Sequence, residues 1–285
     1  MSCTNMRDVL AKALQGRYAV GAFNIIDYAS FRAVVRAAED LRAPVIVQTS
    51  VKTVQLWGYR AIAGWYRELA ADAAVPVVLH LDHCKDLDVV KRCIEAGWTS
   101  VMVDTSSRPF VENLETTRKV IAMAHPVSVT VEAELGEIGG VEDDLLVADA
   151  DARLADPLKA EEFCKGLELD LFAPAIGTAH GIYKGEPRIA FDRIAEISRR
   201  TGLPLALHGG TGLSTEVFQR CITLGCAKVN ISTHLKHVFL DSLVEYRRDH
   251  PAEYEPVKDI AFQLDRMIAP VKEFIRVFGG EGKSA

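Results

Sequence analysis

Short apolar runs alternate with longer segments of helical spacing along most of the chain. The runs are rich in β-branched residues, which is typical of buried strands, and the segments between them repeat apolar positions every three or four residues. The predicted strands are 18–24, 44–50, 76–82, 100–106, 127–135, 169–177, 204–210 and 227–233. The predicted helices between them include 28–41, 86–96, 109–124, 156–166, 191–200 and 214–224. From residue 234 onward the pattern predicts a long helix, a loop with Pro251 and Pro256, and a final helix ending near Phe278.

Eight strand–helix units in a chain of this length predict an α/β fold of the (β/α)8 barrel type, also called a TIM barrel. The strands are nearly continuous in apolar residues, as expected where both faces are buried. A doubly wound open sheet is the alternative, but no GxGxxG follows the first strand, so a Rossmann dinucleotide site is not supported. No linker divides the chain, and we expect one barrel domain over residues 1–285 with a C-terminal helical extension at about 234–285.

Composition and charge restrict the partners. Hydrophobic residues make up 49% of the chain and charged residues 25%, which excludes a disordered chain. The formal net charge of −6 argues against nucleic acid or an anionic membrane as the main partner. The six cysteines form no CxxC pair, the first eight residues are polar, and no apolar run approaches the roughly 18 residues of a membrane span. These features predict a cytoplasmic protein with reduced thiols and no membrane segment.

Polar or ionisable side chains stand at the end of every predicted strand or in the loop just after it. They are Asn24, Ser50, Asp82, His83, Asp104, Glu132, Glu134, His180, His208 and Asn230. A structural barrel does not need such residues there, whereas barrel enzymes place their catalytic groups at this end of the strands. The pattern therefore predicts an active site formed by converging strand ends.

Three of the eight histidines, His83, His180 and His208, belong to this set. Neutral imidazoles from separate strands form metal sites, and three protein ligands leave a position open for substrate. Each histidine alone could be a structural residue of the core, but the three together favour a metal site. His80 alternates with His83 along the strand, so we expect it to support the site or to pack.

Two loops have the composition of a phosphate site. "HGGTGLS" (208–214) follows the seventh strand and "VNIST" (229–233) ends the eighth, and each precedes a helix. Barrels commonly bind phosphate through backbone N–H groups at these two loops, where glycine permits close approach. One such loop alone could be a tight turn, whereas two neighbouring loops favour phosphate binding.

The segment "VEAELGEIGGVEDD" (131–144) combines a glycine pair with a run of carboxylates that begins at Glu142. This composition predicts a mobile loop. Such a loop can close over a site, exclude water and deliver a general base. A solvated acidic turn is the alternative.

Taken in series, these motifs resemble a known enzyme family. "HLDH", "SVMVD", "VEAELGEIGGVEDD", "AIGTAHGIYKGEP", "LHGGTGLS" and "KVNIST" are similar, in that order, to segments of the class II (zinc-dependent) fructose- and tagatose-bisphosphate aldolases. The resemblance runs from about residue 22 to residue 233, and the chain length fits the shorter, tagatose-type branch.

The resemblance implies a Zn²⁺ ion held by His83, His180 and His208, with Asp104 and Glu134 as alternate ligands in some states. It implies that Asp82 is the acid/base at the substrate oxygens and that Glu142 exchanges the C–H proton. The implied substrate-binding residues are Asn24, Ser50, Gly181, Gly209, Gly210, Thr211, Asn230, Ile231, Ser232 and Thr233. A monovalent cation (Na⁺ or K⁺) near the phosphate and a homodimer or homotetramer are also implied.

The implied reaction is the reversible aldol cleavage of fructose 1,6-bisphosphate or tagatose 1,6-bisphosphate to dihydroxyacetone phosphate and an aldehyde such as glyceraldehyde 3-phosphate. Zn²⁺ would stabilise the enediolate as a Lewis acid while Asp82 removes the C4 hydroxyl proton. Another ketose 1-phosphate with a different aldehyde half is the alternative substrate.

Two departures from the family pattern concern the aldehyde half. Many bisphosphate members read roughly Ser-x-Gly-Ala after the second strand, whereas this chain reads "SVKTV" (50–54), with Lys52 beside the site. Ala261 falls where fructose-bisphosphate members have a basic residue for the distal phosphate. The candidate replacements are Lys52, Lys184, Arg266 and Arg276.

Three rival interpretations follow from the residues. A Schiff-base aldolase would use Lys228 or Lys184, but it gives no role to the three histidines. A metal-dependent hydrolase would also gather histidines, but it gives no role to Glu142. A non-catalytic sugar-phosphate binding protein predicts at least one broken catalytic position, and none is broken here.

Overall fold

The computed structural model describes residues 4–142, 145–147, 154–181, 183, 185 and 187–284. Within this part of the chain, eight parallel strands close into a barrel. In order around the barrel they are β1 (Val20–Asn24), β2 (Val45–Thr49), β3 (Val77–Cys84), β4 (Ser100–Val103), β5 (Thr130–Leu135), β8 (Leu171–Pro174), β10 (Leu205–Leu207) and β11 (Cys226–Ile231), which pairs again with β1. The predicted barrel is confirmed, and the open-sheet alternative is wrong.

The described residues also form eleven α-helices. They are α1 (Met6–Gly16), α2 (Tyr28–Asp40), α3 (Val51–Trp57), α4 (Tyr59–Asp72), α5 (Leu87–Ala96), α6 (Phe110–Ala124), α7 (Pro157–Lys165), α8 (Phe191–Thr201), α9 (Thr215–Thr223), α10 (Thr233–Asp249) and α11 (Pro256–Val277). The sequence pattern predicts most of them, but α1, α3 and α4 are not among the predicted segments. Among the helices of the described residues, none has both the length and the apolar character needed to cross a membrane.

A second, smaller sheet joins the segment after β5 to the segment after β8. In it, β6 (Gly139–Glu142) pairs antiparallel with β7 (Leu145–Val147) and parallel with β9 (Ala179–His180). The sequence pattern predicts a loop here and does not predict this sheet. Its consequence for the site is a direct backbone connection, because Gly140 is paired with His180.

Predicted strand 127–135 begins three residues later than expected. A 3-10 turn occupies His125–Val127, and Ser128 has a φ of 61°, in the left-handed region. A residue of that conformation interrupts the regular extended backbone, and β5 begins two residues later, at Thr130.

The bottom of the barrel is filled by apolar side chains. Ile46, Val78 and Met102 point inward from three neighbouring strands and form one buried cluster with Met6 and Leu10 of α1. The helix α1 therefore plugs the N-terminal end of the barrel, where catalysis does not occur.

Nearer to the C-terminal ends of the strands, the inward-pointing residues are polar. Gln48 and His80 follow the apolar positions of β2 and β3 by two residues, and Glu132 and Lys228 face inward from β5 and β11. None of these four side chains has any exposed surface. The barrel interior is thus divided into an apolar base and a polar layer directly beneath the strand ends.

Asp170, just before β8, ties α1 to the base of the barrel. Its carboxylate accepts hydrogen bonds from Nε of Arg7 at 2.7 Å and from the backbone N–H of Val131 at 2.8 Å. It also lies 2.9 Å from Nε2 of His125, which is half-buried. The side chain of Asp170 is only 4% exposed, so these partners replace the water that a carboxylate would otherwise contact.

We expect Asp170→Ala to lower the free energy of unfolding by about 2–3 kcal/mol, because it leaves Arg7 and a buried backbone N–H without their acceptor. The shift of the urea midpoint measures this loss. Asp249→Ala is the control, since Asp249 is half-exposed and forms an ion pair with the neighbouring Arg248, so a much smaller shift of the urea midpoint is expected. Equal losses in the two variants would contradict the role given to Asp170.

Candidate active site

Asp82 and His83 lie at the end of β3, where the backbone is irregular. The pairing register with β4 shifts between Leu81 and Cys84, and His83 has a φ of 38°. Adjacent residues of a regular strand point to opposite faces. The irregular backbone allows both side chains to reach the interior, because Asp82 contacts β11 while His83 contacts His208. A non-glycine residue at positive φ costs on the order of 1–3 kcal/mol, and such strain is concentrated at functional sites.

His83, His180 and His208 converge although they come from three separate segments of the chain. One ring nitrogen of each lies within 4.8 Å of the nitrogens of the other two. The ring centroids of His83 and His180 are 5.0 Å apart, and those of His83 and His208 are 4.5 Å apart. Three imidazoles at this spacing are a donor set for a divalent transition-metal ion such as Zn²⁺.

Carboxylates flank the far sides of two of these rings. Nδ1 of His83 lies 3.1 Å from Oδ2 of Asp104, and Nε2 of His208 lies 2.7 Å from Oε1 of Glu132. An ionised carboxylate can only accept a hydrogen bond, so these two ring nitrogens carry the N–H and the opposite nitrogens present lone pairs. Those opposite nitrogens, Nε2 of His83 and Nδ1 of His208, are 2.6 Å apart. Two lone pairs at that distance repel unless a proton or a cation is shared, so the donor set fits a bound metal ion.

Glu134 joins His83 and Asp104 in a second group of donors. Their ligand atoms also lie within 4.8 Å of one another, and Oε2 of Glu134 is 3.8 Å from Nδ1 of His83. Asp104 and Glu134 are therefore near enough to the histidines to border the same ion, as the resemblance implies.

The protonation of this group suits metal binding. Burial lowers the pKa of His208 below its ordinary value, and the nearby His83 lowers it further, while Glu132 raises it in part. Burial alone would raise the pKa of Asp104, but hydrogen bonds from His83 and Ser106 outweigh it and hold the pKa well below its usual range. Metal ligands of these types must be neutral histidines and ionised carboxylates.

Lys228 does not have the surroundings of a Schiff-base lysine. It is fully buried, and its Nζ lies 2.9 Å from Oε2 of Glu132. Burial alone would raise the pKa of Glu132, but Lys228 and His208 hold it well below its usual range. A lysine nucleophile must be unprotonated and open to substrate, so this ion pair argues against the Schiff-base interpretation at Lys228.

The carboxylate of Asp82 is oriented by amide side chains. Nδ2 of Asn24 donates to Oδ2 at 2.9 Å, and Nδ2 of Asn230 donates to Oδ1 at 3.2 Å. Gln48 in turn donates from Nε2 to Oδ1 of Asn24 at 2.8 Å, which directs the NH2 group of Asn24 toward Asp82. Sequence reasoning did not identify Gln48, although a single polar residue within the otherwise apolar run "PVIVQ" was the available signal.

A polar pocket adjoins the histidines. It is lined by His180, Gly181, Gly209, Gly210, Thr211, Asn230, Ser232, Thr233 and Lys236. Gly209 has a φ of 67°, and a Cβ there would lie 2.5 Å from the carbonyl oxygen of Ala179. A side chain at Gly209 is therefore excluded, and the loop stays open for a ligand near its backbone. The predicted phosphate loops thus meet in one pocket beside the histidine cluster.

The N-terminus of α10 belongs to this pocket. Oγ1 of Thr211 accepts a hydrogen bond from the backbone N–H of His234 at 3.3 Å, so the two loops are linked. Ile231 is fully buried, so its side chain is not available to a ligand in the pocket. Lys236, in the first turns of α10, also lines the pocket and adds a basic side chain to it. The sequence analysis did not identify this lysine, because it lies beyond the "VNIST" motif.

The remaining predicted residues lie at the start of α3 or, in whole or in part, outside the described residues. Oγ of Ser50 accepts a hydrogen bond from the backbone N–H of Thr53 and caps α3, and Lys52 is exposed on that helix. The backbone of Glu142 is in β6, but its side chain and the whole of Lys184 lie outside the described residues.

The other candidates for the distal phosphate lie on α11. Arg266 pairs with Glu245, and Arg276 pairs with Glu281. Ala261 on the same helix is exposed.

We expect His180→Ala and His208→Ala to weaken Zn²⁺ binding by more than the roughly 10–100-fold that removal of an outer hydrogen-bond partner costs, because each removes a ligand itself. Metal content after dialysis, measured by elemental analysis, tests this. His237→Ala is the matched control, since His237 is exposed on α10. Unchanged zinc content in both ligand variants would exclude the three-histidine site.

Comparison with known proteins agrees with this geometry. Residues 4–283 match the family model for class II fructose-bisphosphate aldolase. A fructose-bisphosphate aldolase from Geobacillus stearothermophilus is 41% identical over 288 aligned positions that cover 100% of both chains. A sulfofructosephosphate aldolase from Alkalicoccus urumqiensis is 37% identical over 284 positions, covering 100% of this chain and 99% of that protein.

Among solved structures, the YdjI aldolase from Escherichia coli K12 superposes with a TM-score of 0.88 at 28% identity, covering 99% of both chains. The resemblance stated from the motifs is confirmed by these matches. The chain belongs to the class II fructose-bisphosphate aldolase family and is an aldolase, a lyase that cleaves carbon–carbon bonds.

Proposed function

We propose that this aldolase reversibly cleaves a ketose bisphosphate, either fructose 1,6-bisphosphate or tagatose 1,6-bisphosphate, to dihydroxyacetone phosphate and glyceraldehyde 3-phosphate, with Zn²⁺ as its metal. The observation that supports this most directly is the double position of Asn230. It lines the glycine-rich pocket and also donates to Asp82, so an anion-binding loop and an acid/base group share one residue. His180 lines the same pocket and belongs to the histidine cluster.

In this proposal, His83, His180 and His208 hold the ion. When bound, Zn²⁺ supplies Lewis acidity that polarises the ketone and stabilises negative charge on its oxygen. The glycine loops and Lys236 bind the phosphate of the dihydroxyacetone half, so binding energy far from the reacting bond orients the substrate. We also propose that a Na⁺ or K⁺ ion binds beside that phosphate.

The role proposed for Asp82 follows from its hydrogen bonds. Asn24 and Asn230 hold its carboxylate with neutral amide donors, which fixes its direction without cancelling its charge. As the C3–C4 bond breaks, one carboxylate oxygen takes the C4 hydroxyl proton and the C4 carbon becomes the aldehyde. Glu142 then returns a proton to C3, which completes the release of dihydroxyacetone phosphate.

The paired backbone of β6 and β9 supports the role of Glu142. The strand that ends at Glu142 lies beside the strand that ends at His180. The backbone of Glu142 therefore lies two residues beyond Gly140, the residue that is paired with His180.

We further propose a cytoplasmic homodimer or homotetramer. Large apolar side chains are exposed on α10, on α11 and on the turn between them. They are Leu240, Leu243, Val244, Tyr254, Val257 and Ile260. Such surfaces are usually covered in an assembly, and light scattering of the purified protein measures the state directly.

A second candidate substrate is a ketose phosphate with a different distal group. The two relatives are similarly close to this chain, with identities of 41% and 37%. One is a fructose-bisphosphate aldolase and the other is a sulfofructosephosphate aldolase. A sulfofructose phosphate would share the dihydroxyacetone phosphate half and differ only at the far end. Lys52, at the departure from the family pattern, is the residue proposed to contact that end.

We expect Asp82→Ala to lower kcat by about 10²–10⁴-fold, because the C4 hydroxyl proton loses its acceptor. Zinc content stays at the wild-type level, since Asp82 is not one of the three metal ligands. Asp88→Ala, which removes an exposed carboxylate of α5, is the control and keeps full activity. Near-wild-type turnover in Asp82→Ala would make the acid/base assignment wrong.

A panel of substrates tests the reaction and its metal. We expect cleavage of one or more of fructose 1,6-bisphosphate, tagatose 1,6-bisphosphate, a ketose 1-phosphate and a sulfofructose phosphate. Release of dihydroxyacetone phosphate should stop with a chelator and return with Zn²⁺. Inactivation by borohydride only in the presence of substrate would instead favour a Schiff base, and net addition of water would favour a hydrolase. Unchanged kinetics on a cleaved bisphosphate after Lys52→Ala would remove Lys52 from the distal contact.

A further inference from the structure

The polar layer beneath the histidine cluster contains a buried ion pair. Oε2 of Glu132 lies 2.9 Å from Nζ of Lys228 and 3.4 Å from Nε2 of His80. Oε1 of the same carboxylate lies 2.7 Å from Nε2 of His208. The side chains of all four residues are fully buried.

A buried ion pair stabilises a protein interior no better than apolar side chains usually do. Desolvation of the two charges offsets most of their attraction, and apolar residues of similar volume are often at least as stable. Two residues nearer the base of the barrel, the same faces of β2 and β3 carry the apolar side chains Ile46 and Val78. The buried charges of Glu132 and Lys228 occur instead where the carboxylate contacts His208. Packing alone does not explain that change.

The contact with His208 indicates a role for the ion pair. The ammonium of Lys228 keeps the carboxylate of Glu132 ionised by occupying Oε2, and the ionised Oε1 can then only accept from Nε2 of His208. The imidazole is thereby fixed in the tautomer with hydrogen on Nε2. Its lone pair is on Nδ1, which lies 2.6 Å from Nε2 of His83.

The contacts of Glu132 also fix the direction of the His208 ring. Nδ1 of His80 lies 2.8 Å from Oγ of Ser100, which holds His80 against the other side of the carboxylate. Glu132 therefore has a neighbour on each side and cannot rotate without breaking one of these contacts. A carboxylate that orients a metal-binding histidine in this way commonly changes metal affinity by 10–100-fold.

We propose that Glu132 and Lys228 act together as positioning residues, which set the tautomer and direction of His208 and thereby the affinity for the metal. Neither residue contacts the ion or the substrate. This inference rests on the proposed function, because it requires that the three histidines bind a metal.

The test separates positioning from mere stability. Glu132→Gln leaves the charge of Lys228 buried and unpaired, and Lys228→Met does the same to Glu132, so each single variant is expected to lower the urea midpoint. The double variant Glu132→Gln/Lys228→Met removes both charges at nearly constant volume. We expect its urea midpoint to return toward that of the wild type.

Zinc affinity is measured for the same proteins by competition with a chelating dye, starting from the zinc-loaded enzyme. In the double variant we expect the affinity to stay about 10–100-fold weaker, because an amide does not enforce one tautomer of His208. At saturating Zn²⁺ its kcat should recover to within a few-fold of the wild type. A double variant with both stability and zinc affinity restored would show that the pair is only structural.

Two controls distinguish a failure of the proposed metal site from a failure of the positioning role. Asp82→Asn alters the other side of the site and should keep wild-type zinc affinity while losing turnover. A wild-type protein that binds no zinc would overturn the proposed metal and with it this inference. A wild type that binds zinc, together with a double variant that binds it equally well, would overturn the positioning role alone.

Discussion

Inside a closed parallel barrel, every second side chain of each strand is removed from water, so a polar group there must find a partner in the protein. This constraint shapes the interior. At the base, the chain satisfies it with apolar residues that pack on α1. Toward the strand ends it uses polar residues, and each carboxylate there has a cation, an imidazole or an amide beside it. The chemistry of the site depends on that pairing, because the partners decide which atoms remain free for a ligand.

The same constraint explains the irregular end of β3. A regular strand would direct Asp82 and His83 to opposite faces, and only one of them could reach the interior. The register shift and the positive φ of His83 bring both residues to the site. Strain of this kind persists where surrounding contacts determine the conformation. Here those contacts are His208 on one side and the two asparagine side chains on the other.

The sequence was sufficient to predict the barrel and the residues that converge at its strand ends. It was not sufficient to predict which of the buried side chains contact one another. Strands buried on both faces have an unmistakable apolar pattern, and strand ends in a barrel must meet, so the histidine cluster followed from topology. Contacts within the interior did not follow, because period-2 patterns do not show which inward residues of distant strands touch. Gln48 and the Glu132–Lys228 pair belong to this group. Helix α1 was missed because it contacts the barrel end rather than a strand face, and its signal is only a short amphipathic segment.

The two halves of the proposed substrate depend on different parts of the molecule. The pocket proposed to bind phosphate is built from backbone at glycines where a side chain would collide with neighbouring carbonyl groups, as at Gly209. Side chains are excluded there by sterics, so the fold maintains the shape of this pocket. The segment after β2 is different, because Lys52 is exposed on α3, a helix that is capped by Ser50. A substitution there lies outside the segments that carry Asp82 and the three histidines. One scaffold can therefore keep the same bond cleavage while the distal group changes, which is the kind of difference seen between a fructose-bisphosphate aldolase and a sulfofructosephosphate aldolase that are both similar to this chain over its whole length.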